Sequence, residues 1–292
     1  MATSSRPAAS SWKAPARNSS TTKTSRKPIL DSDVNKPFHS LNPAEVRALC
    51  RSGQYDGPTA GTARGHMQAN MMILPKEFAF DFLLFCQRNP KPCPLVEVLE
   101  PGRAEPRCAP GGDVRTDLPG YRIFRDGRLV EEVSDISSFW RDDLVTFLIG
   151  CSFSFEDALI AGGIPLRHVG MGRNVAMYRT NIACESAGRF TGNMVVSMRP
   201  VKSGQIARAV EISGRFPEVH GAPVHIGHPE AIGIADLARP DFGEAVPVLE
   251  DELPVFWACG VTPQYVAELS GIPFCISHSP GKMLVTDFIT NK

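Results

Sequence analysis

The chain has 292 residues, of which 42% are hydrophobic and 21% are charged, a composition typical of soluble globular proteins with one or two sizeable cores. No apolar run approaches the ~20 residues of a membrane span. The N-terminal residues lack the apolar region of a secretory signal, so none is predicted. The net charge is zero, but residues 1–28 contain six Lys and Arg and no acidic residue, which leaves 25 basic and 31 acidic residues in the remainder. Because this remainder is net negative, it is a poor candidate for non-specific binding of nucleic acid.

The N-terminal segment is predicted to be a disordered basic tail over residues 1–30, because it has too few apolar side chains to offset its ordering entropy. Residues 31–292 are predicted to form one domain. The eight cysteines are scattered without a C-x-x-C pair, so neither a zinc knuckle nor a dithiol redox motif is expected. We expect reduced thiols and a cytoplasmic location.

The first half of the chain is predicted to open with two helices. Asn42, Pro43 and Glu45 supply an N-cap, a first-turn proline and an acidic third position for a helix that ends near Gly53. The further predicted elements are a helix over 76–88, a strand over 95–99, a hairpin of 121–125 and 128–133 around Asp126-Gly127, a helix over 137–149 and a helical turn over 155–161.

The second half alternates strands with helices. Strands are predicted over 175–180, 194–198, a short stretch around His225, 254–259, 273–277 and 283–288, and helices over 262–270 and over 203–212, the latter capped by Ser203. This alternation predicts an α/β fold with a mixed, largely buried sheet, helices on both faces, and room for two lobes around a central cleft.

The stretch 214–228 holds three of the seven histidines: His220, His225 and His228. Small residues surround His225 on its predicted strand, so we expect it to transfer protons. Clustered imidazoles with a carboxylate could also bind a divalent metal, although this spacing matches no standard metal motif. Uncharged imidazoles acting as hydrogen-bonding or acid–base groups are the preferred interpretation, with a metal site as the alternative.

Cys259 ends a predicted strand just before a helix whose predicted N-cap is Thr262. Free amides at a helix start bind carboxylates, and the helix dipole would favour the thiolate of Cys259. The alternative is a cysteine that only packs. His278 and Ser279 follow the next strand in the same way, where the alternative is a surface turn.

The segment from Cys151 to Glu156 places small polar residues between two apolar segments. It predicts a helix break whose backbone groups face a pocket, with a simple kink as the alternative. Arg179, Arg199 and Arg215 lie in apolar or glycine-rich surroundings, where a guanidinium either grips a ligand carboxylate or pairs with a buried acid.

Seven segments together resemble the D-glutamate cyclase family, including its bacterial hydro-lyase members, from about residue 40 to the C-terminus. They are GHMQAN (65–70), FLIGCSFSFEDAL (147–159), MYRTNIAC (177–184), GNMVVSMRP (192–200), RFPEVHGAPVHIGHPEAIGI (215–234), PVFWACGVTPQ (254–264) and HSPGKMLVTD (278–287). The family usually has an acidic residue in place of His228 and often HAPGHM in place of HSPGKM.

The resemblance implies that residues 31–292 form a catalytic domain that dehydrates D-glutamate to 5-oxo-D-proline, or acts on a closely related small amino or hydroxy acid. This carbon–oxygen lyase (hydro-lyase) chemistry needs no redox cofactor. The candidate catalytic residues are His225, Cys259, Cys151, Glu156 and His278. The candidate substrate-binding residues are Arg179, Arg215, Arg199, Thr262 and Ser279.

We expect the segments after Cys151 to converge on one cleft at strand carboxyl ends, with His225, Cys259 and His278 within side-chain reach. One alternative is a cofactor-independent racemase or isomerase that uses Cys259 and Cys151 as opposed acid–base thiols. The other is a binding module that holds a carboxylate without turning it over. The expected partner is a small dicarboxylate or amino acid, and a homo-oligomer is left open.

Overall fold

A computed structural model of the protein describes residues 40–290, which form six α-helices and eleven strands. The helices are α1 (Pro43–Arg51), α2 (Lys76–Arg88), α3 (Glu156–Ala161), α4 (Arg167–Gly170), α5 (Ile206–Gly214) and α6 (Thr262–Ser270). The strands are β1 (His66–Pro75), β2 (Leu95–Val98), β3 (Tyr121–Arg125), β4 (Arg128–Val133), β5 (Leu144–Gly150), β6 (Ala176–Ala183), β7 (Asn193–Lys202), β8 (His225–Ile226), β9 (Glu252–Ala258), β10 (Cys275–His278) and β11 (Leu284–Ile289).

The strands form two sheets, and the strand pairs within residues 40–290 are all antiparallel. The larger sheet has the order β2-β5-β1-β10-β3-β4, with β11 as a further partner of β1, and the smaller has the order β6-β7-β9-β8. The predicted α/β class with a largely buried sheet is confirmed, although two sheets take the place of one.

Strand β1 lies at the centre of the larger sheet, and nine of its ten residues are buried. One edge pairs with β5 from Ala69 to Pro75. The other edge pairs first with β11, up to Ala69, and then with β10, at Met72 and Ile73. The sequence did not predict this strand, because its Met, Gln, Ala and Asn residues lack the β-branched and aromatic character that marks strands.

The predicted helix over 137–149 is wrong. Its second half is β5, which is buried along its whole length between β2 and β1, and only Ser137–Phe139 forms a 3-10 turn. A short continuous apolar run such as Leu144–Ile149 fits a buried strand as well as a buried helix, and strand pairing decides between them. The capping role predicted for Ser203 is also wrong, since its hydroxyl donates to the Asp251 carbonyl and α5 begins only at Ile206.

Several local predictions are confirmed. Helix α1 has the complete capping box, in which the Asn42 side chain accepts from the Glu45 N–H and the Glu45 carboxylate accepts from the Asn42 N–H. Helices α2 and α6 have the predicted bounds, and Asp126 and Gly127 connect β3 and β4. Sequence signals that act through neighbouring residues therefore located these elements well.

The largest hydrophobic cluster joins the two sheets. It contains Met72 and Phe147 from the larger sheet, Val196 and Phe256 from the smaller sheet, and Phe82 of α2. A second cluster covers the opposite face of the larger sheet and includes Met71 and Ile73 of β1. Both faces of β1 are therefore buried, and residues at its centre can reach any site formed between the sheets.

Among the helices between residues 40 and 290, none is long and apolar enough to cross a membrane. The disordered tail predicted over residues 1–30 and the domain boundary predicted at residue 31 lie outside the described residues. Both stay predictions.

We expect Gly150→Ala to destabilise the fold, because a Cβ at this position would lie 2.1 Å from the Glu218 carbonyl oxygen and 2.9 Å from Cγ1 of Val219. Overpacking of this kind costs about 1–3 kcal/mol. Gly204→Ala is the matched control, since no described atom lies within 4 Å of its added Cβ. Urea unfolding of the two variants measures the difference, and equal midpoints would contradict the close packing around Gly150.

Candidate active site

Three strands of the two sheets end at one small cavity. Cys151 directly follows β5, Cys259 directly follows β9, and His278 is the last residue of β10. All three line the cavity, which we call the thiol cavity. Its polar lining consists of Asn70, Cys151, Ser152, Asn174, Cys259 and His278. The predicted convergence at strand ends is therefore observed for Cys151, Cys259 and His278.

The thiol cavity has a volume of about 10 Å³, which is close to the smallest space that holds one water molecule. Pockets that bind metabolites are usually several hundred Å³ in volume. A ligand larger than water must therefore displace part of the wall. Phe153, which lies on the short segment between β5 and α3, forms one side of that wall.

Burial favours the protonated form of both thiols. Burial raises the pKa of Cys259 to about 11, although the backbone amide of Val261 and the Arg199 guanidinium act in the opposite direction. Burial raises the pKa of Cys151 still further. The expectation that the helix dipole favours the Cys259 thiolate is wrong, because desolvation outweighs the amides at the helix start.

His278 is a neutral, buried imidazole. Burial lowers its pKa to about 4, and Nδ1 lies 3.2 Å from both the amide nitrogen and the carbonyl oxygen of Met71. Nε2 has no hydrogen-bond partner within residues 40–290. Met71 lies where the edge of β1 passes from β11 to β10, so the imidazole contacts backbone groups at the gap between those two partner strands.

A buried ion pair lies beside the thiol cavity. Arg199 Nη2 donates to Glu156 Oε1 at 2.6 Å and Nε donates to the same oxygen at 3.1 Å, while Nη2 also donates to Ser152 Oγ at 3.0 Å. His168 Nε2 lies 3.1 Å from the same Glu156 oxygen. Burial alone would raise the pKa of Glu156, but Arg199 and His168 outweigh it and hold the carboxyl below its ordinary value. Arg199 is therefore paired with Glu156, and it also binds Ser152, which lines the thiol cavity.

The other two candidate arginines lie at the surface with acidic partners. Arg179 is about half exposed, lies 3.7 Å from Asp241 and stacks over the Tyr265 ring. Arg215 is exposed and pairs with Glu211 one helical turn earlier. Neither residue lines the thiol cavity.

The remaining candidates have defined structural contacts. His225 lies on β8, where Nε2 contacts the His228 carbonyl at 3.0 Å and the ring packs 5.9 Å from that of Phe256. It does not line the thiol cavity, so the expected grouping of His225 with Cys259 and His278 is not observed.

Thr262 is the first residue of α6, not its N-cap, and its hydroxyl links the Val195 N–H at 3.0 Å to the Cys259 carbonyl at 2.8 Å. Ser279 is buried and donates its N–H to the Gly120 carbonyl at 2.9 Å. Gly281 and Met283, from the same loop, line the cavity.

In the part of the chain that the structure describes, no group of three His, Cys, Asp or Glu side chains is placed to hold a metal ion. His220 lies at the buried end of the histidine stretch and its Nδ1 contacts the Lys91 carbonyl at 2.9 Å. The expectation that no cofactor is needed stays a prediction.

Sequence reasoning did not single out Asn70, Asn174 or His168. Asn70 belongs to GHMQAN, so the family motif was a signal for it, but the strand that presents it was not predicted. His168 lies in an apolar stretch with no neighbouring motif, and only the fold shows that it faces Glu156.

Comparisons with known proteins agree with the motif pattern. A sequence model of the family described as D-glutamate cyclase matches residues 145–287. A protein named "Putative hydro-lyase" from Stutzerimonas stutzeri is 60% identical over 86% of this chain and 95% of its own length. Proteins with hydro-lyase names of the same form from Bacillus licheniformis and Bacillus subtilis are 60% and 59% identical, each over 85% of this chain and over 95% and 96% of their own lengths.

A crystal structure of a nitrogen repressor-like protein from Methanococcus jannaschii aligns with 80% of this chain and 91% of its own. Its TM-score of 0.35 and 10% identity are too low to establish a shared fold.

Lowering the pH from about 7 to about 5 should reduce the free energy of unfolding. Burial lowers the pKa of both His278 and His220 from 6.5 to about 4. Below pH 6.5 the unfolded chain takes up protons that the folded chain does not, so stability falls by up to ~1.4 kcal/mol per pH unit for each histidine, until about pH 4. Urea unfolding across this range should show a shallower dependence for His278→Gln, and an unchanged slope would contradict the buried neutral imidazole.

Cys151 and Cys259 should resist thiol reagents in the folded protein, because both are buried and their pKa values are raised. We expect labelling by a disulfide reagent at mildly alkaline pH to be slow until urea unfolds the chain, with mass spectrometry locating the modified residues. Rapid labelling of Cys259 in the native protein would show an open cavity or an activated thiolate.

Proposed function

This chain belongs to the D-glutamate cyclase family, and we propose on that basis that it is a hydro-lyase that converts D-glutamate into 5-oxo-D-proline and water. A closely related small amino or hydroxy acid is the wider substrate class. The observation that supports a catalytic site is the convergence of Cys151, Cys259 and His278 on one buried cavity. Such grouping of titratable side chains is more typical of a catalytic centre than of a packed core.

The proposed reaction forms one bond and breaks another. The α-ammonium group loses one proton, its nitrogen attacks the γ-carboxyl carbon and then loses a second proton, and one carboxyl oxygen takes up two protons and leaves as water. This chemistry needs orientation of the two ends of the substrate, hydrogen-bond donors for the tetrahedral oxyanion, and an acid for the departing oxygen.

His278 is proposed as the acid for the departing oxygen, and a proton from the substrate's ammonium group replaces the one that His278 gives up. If Nδ1 accepts the Met71 N–H, the neutral ring carries its proton on Nε2, the nitrogen without a partner. A neutral donor suits a site in which the imidazolium is disfavoured, because burial lowers the pKa of His278 to about 4. This proposal moves the proton-transfer role from His225 to His278, which lines the cavity.

Cys259 and Cys151 are proposed as hydrogen-bond donors to the oxyanion. Both are protonated thiols that line the same cavity, and a thiol is a weak donor whose contribution grows when water is excluded. Arg199 is proposed as a positioning residue, because it holds Ser152 of the cavity wall and pairs with Glu156.

A racemase or isomerase is the second candidate function, and the observation that favours it is the presence of two thiols in one cavity. A racemase would need one cysteine as a thiolate to remove the Cα proton and the other as a thiol to supply a proton to the opposite face, so one of the two buried thiols would first have to lose its proton. Solvent deuterium would then enter Cα of unreacted substrate. The third alternative, a carboxylate-binding module, predicts tight binding without any change in the ligand.

The decisive experiment follows D- and L-glutamate by NMR in deuterated buffer with the purified protein. We expect signals of 5-oxoproline to appear from the D-isomer without deuterium at Cα. Deuterium incorporation without oxoproline would favour the racemase, and binding without either change would favour the binding module.

We expect His278→Gln to lower turnover by roughly 100- to 10,000-fold, the range lost on removal of an acid–base group, while near-UV circular dichroism reports an intact fold. His225→Gln is the matched comparison, because it makes the same side-chain change outside the thiol cavity. It should lower turnover far less than His278→Gln. If His225→Gln abolished turnover and His278→Gln did not, the assignment of proton transfer to His278 would be wrong.

A further inference from the structure

A second cavity shares the lining residue Phe153 with the thiol cavity. It has a volume of about 30 Å³ and is lined by Gln68 and Glu156 together with Arg64, His66 and Asp157. We call it the acceptor cavity, because two of its buried polar side chains, Gln68 and Glu156, each have one oxygen that accepts no hydrogen bond from residues 40–290.

The orientation of the Gln68 amide is fixed by its surroundings. Gln68 is buried, and its Nε2 donates to the Thr59 carbonyl at 2.8 Å. A carbonyl oxygen can only accept, so the amide cannot be turned the other way. Gln68 Oε1 therefore remains an acceptor, and it has no partner among the described residues.

Glu156 is bound through one oxygen only. The contacts that residues 40–290 make with its carboxylate, from Arg199 and from His168, all end on Oε1. Its Oε2 is left with unused lone pairs. A carboxylate held this way is fixed in direction and still able to accept hydrogen bonds from a ligand.

The second acid of the acceptor cavity is already occupied. Asp157 accepts from the Gly65 N–H at 3.2 Å through Oδ2 and lies 3.6 Å from Arg64 Nε through Oδ1. The unused groups are therefore Gln68 Oε1 and Glu156 Oε2, beside the Phe153 ring. This set suits a ligand that only donates and carries positive charge, since aromatic faces attract cations and an ammonium group has three donors and no acceptor.

We propose that the acceptor cavity binds the primary ammonium group of the substrate, with Gln68 Oε1 and Glu156 Oε2 as its hydrogen-bond acceptors. This inference rests on the proposed function in taking the ligand to be an amino acid. It deepens that function because it makes the amine, and not only the carboxylates, a recognised part of the substrate. The amine would then lie beside Phe153, which also lines the thiol cavity, so joining the two cavities requires that side chain to move.

The test compares amino acids with the same acids lacking the amine: D- and L-glutamate against glutarate, and D-aspartate against succinate. Isothermal titration should show tighter binding of the amino member to the wild-type protein. Gln68→Leu should lower the affinity for the amino acid by about 10- to 100-fold, the loss expected for a hydrogen bond to a charged group. The affinity for the acid that lacks the amine should not change.

Asp157→Asn is the matched control, because this residue lines the same cavity but its oxygens are occupied, and it should keep the preference for the amine. Glu156→Gln is not the primary variant, since it would leave Arg199 as a buried charge without its partner. Equal binding of amino and deaminated members by the wild type, or a preference for the amine that survives in Gln68→Leu, overturns the proposal.

The outcomes for the subsite and for the reaction are separable. If the protein prefers the amine in a way that depends on Gln68 but releases no oxoproline, the ammonium subsite is supported and the proposed reaction is rejected. If none of these acids binds, methylammonium is titrated while NMR follows the Gln68 side-chain amide, identified by its loss in Gln68→Leu. A saturable shift of that signal supports an ammonium subsite, and no shift means that the cavity holds water only and overturns the proposal.

Discussion

A strand buried on both faces must pair every backbone N–H and C=O, and β1 meets this requirement with three partner strands. One edge pairs along β5, while the other is divided between β11 and β10. Between these two partners, Met71 is paired with neither β11 nor β10. The ring of His278 lies against the Met71 amide and carbonyl instead. The position of the His278 imidazole in the wall of the thiol cavity is thus a consequence of how the central strand satisfies its backbone.

The second constraint is the charge buried beside that strand. Arg199 is held between Ser152, which lines the thiol cavity, and Glu156, which lines the acceptor cavity. Removing either charged partner would leave the other uncompensated in a medium of low dielectric constant. The pair therefore fixes the segment between β5 and α3 at both ends, and Phe153 is the large side chain of this segment that lines both cavities.

Local signals in the sequence predicted much of the fold but only part of the site. The Asn42 and Glu45 capping box and the Asp126-Gly127 turn depend on neighbouring residues, and they were predicted well. Strand β1 and the strand nature of β5 depend on partners far along the chain, so periodicity did not identify them. The same distinction explains the site. Cys259 and His278 end local motifs, whereas the clustering of Gln68 with Phe153 and Glu156 needs two segments that are distant in sequence to fold together.

The electrostatic character of the thiol cavity limits the chemistry that it can support. Its imidazole is neutral and its thiols are protonated, because burial disfavours the charged form of each. A nucleophilic mechanism that begins from a thiolate would have to overcome that burial. Hydrogen-bond donation from neutral groups does not, and donors that are already oriented in a buried cavity need no reorganisation when an oxyanion forms. A cavity with room for about one water molecule also excludes the bulk water that would hydrolyse a reactive intermediate. These features favour dehydration by neutral donors over covalent catalysis by Cys259.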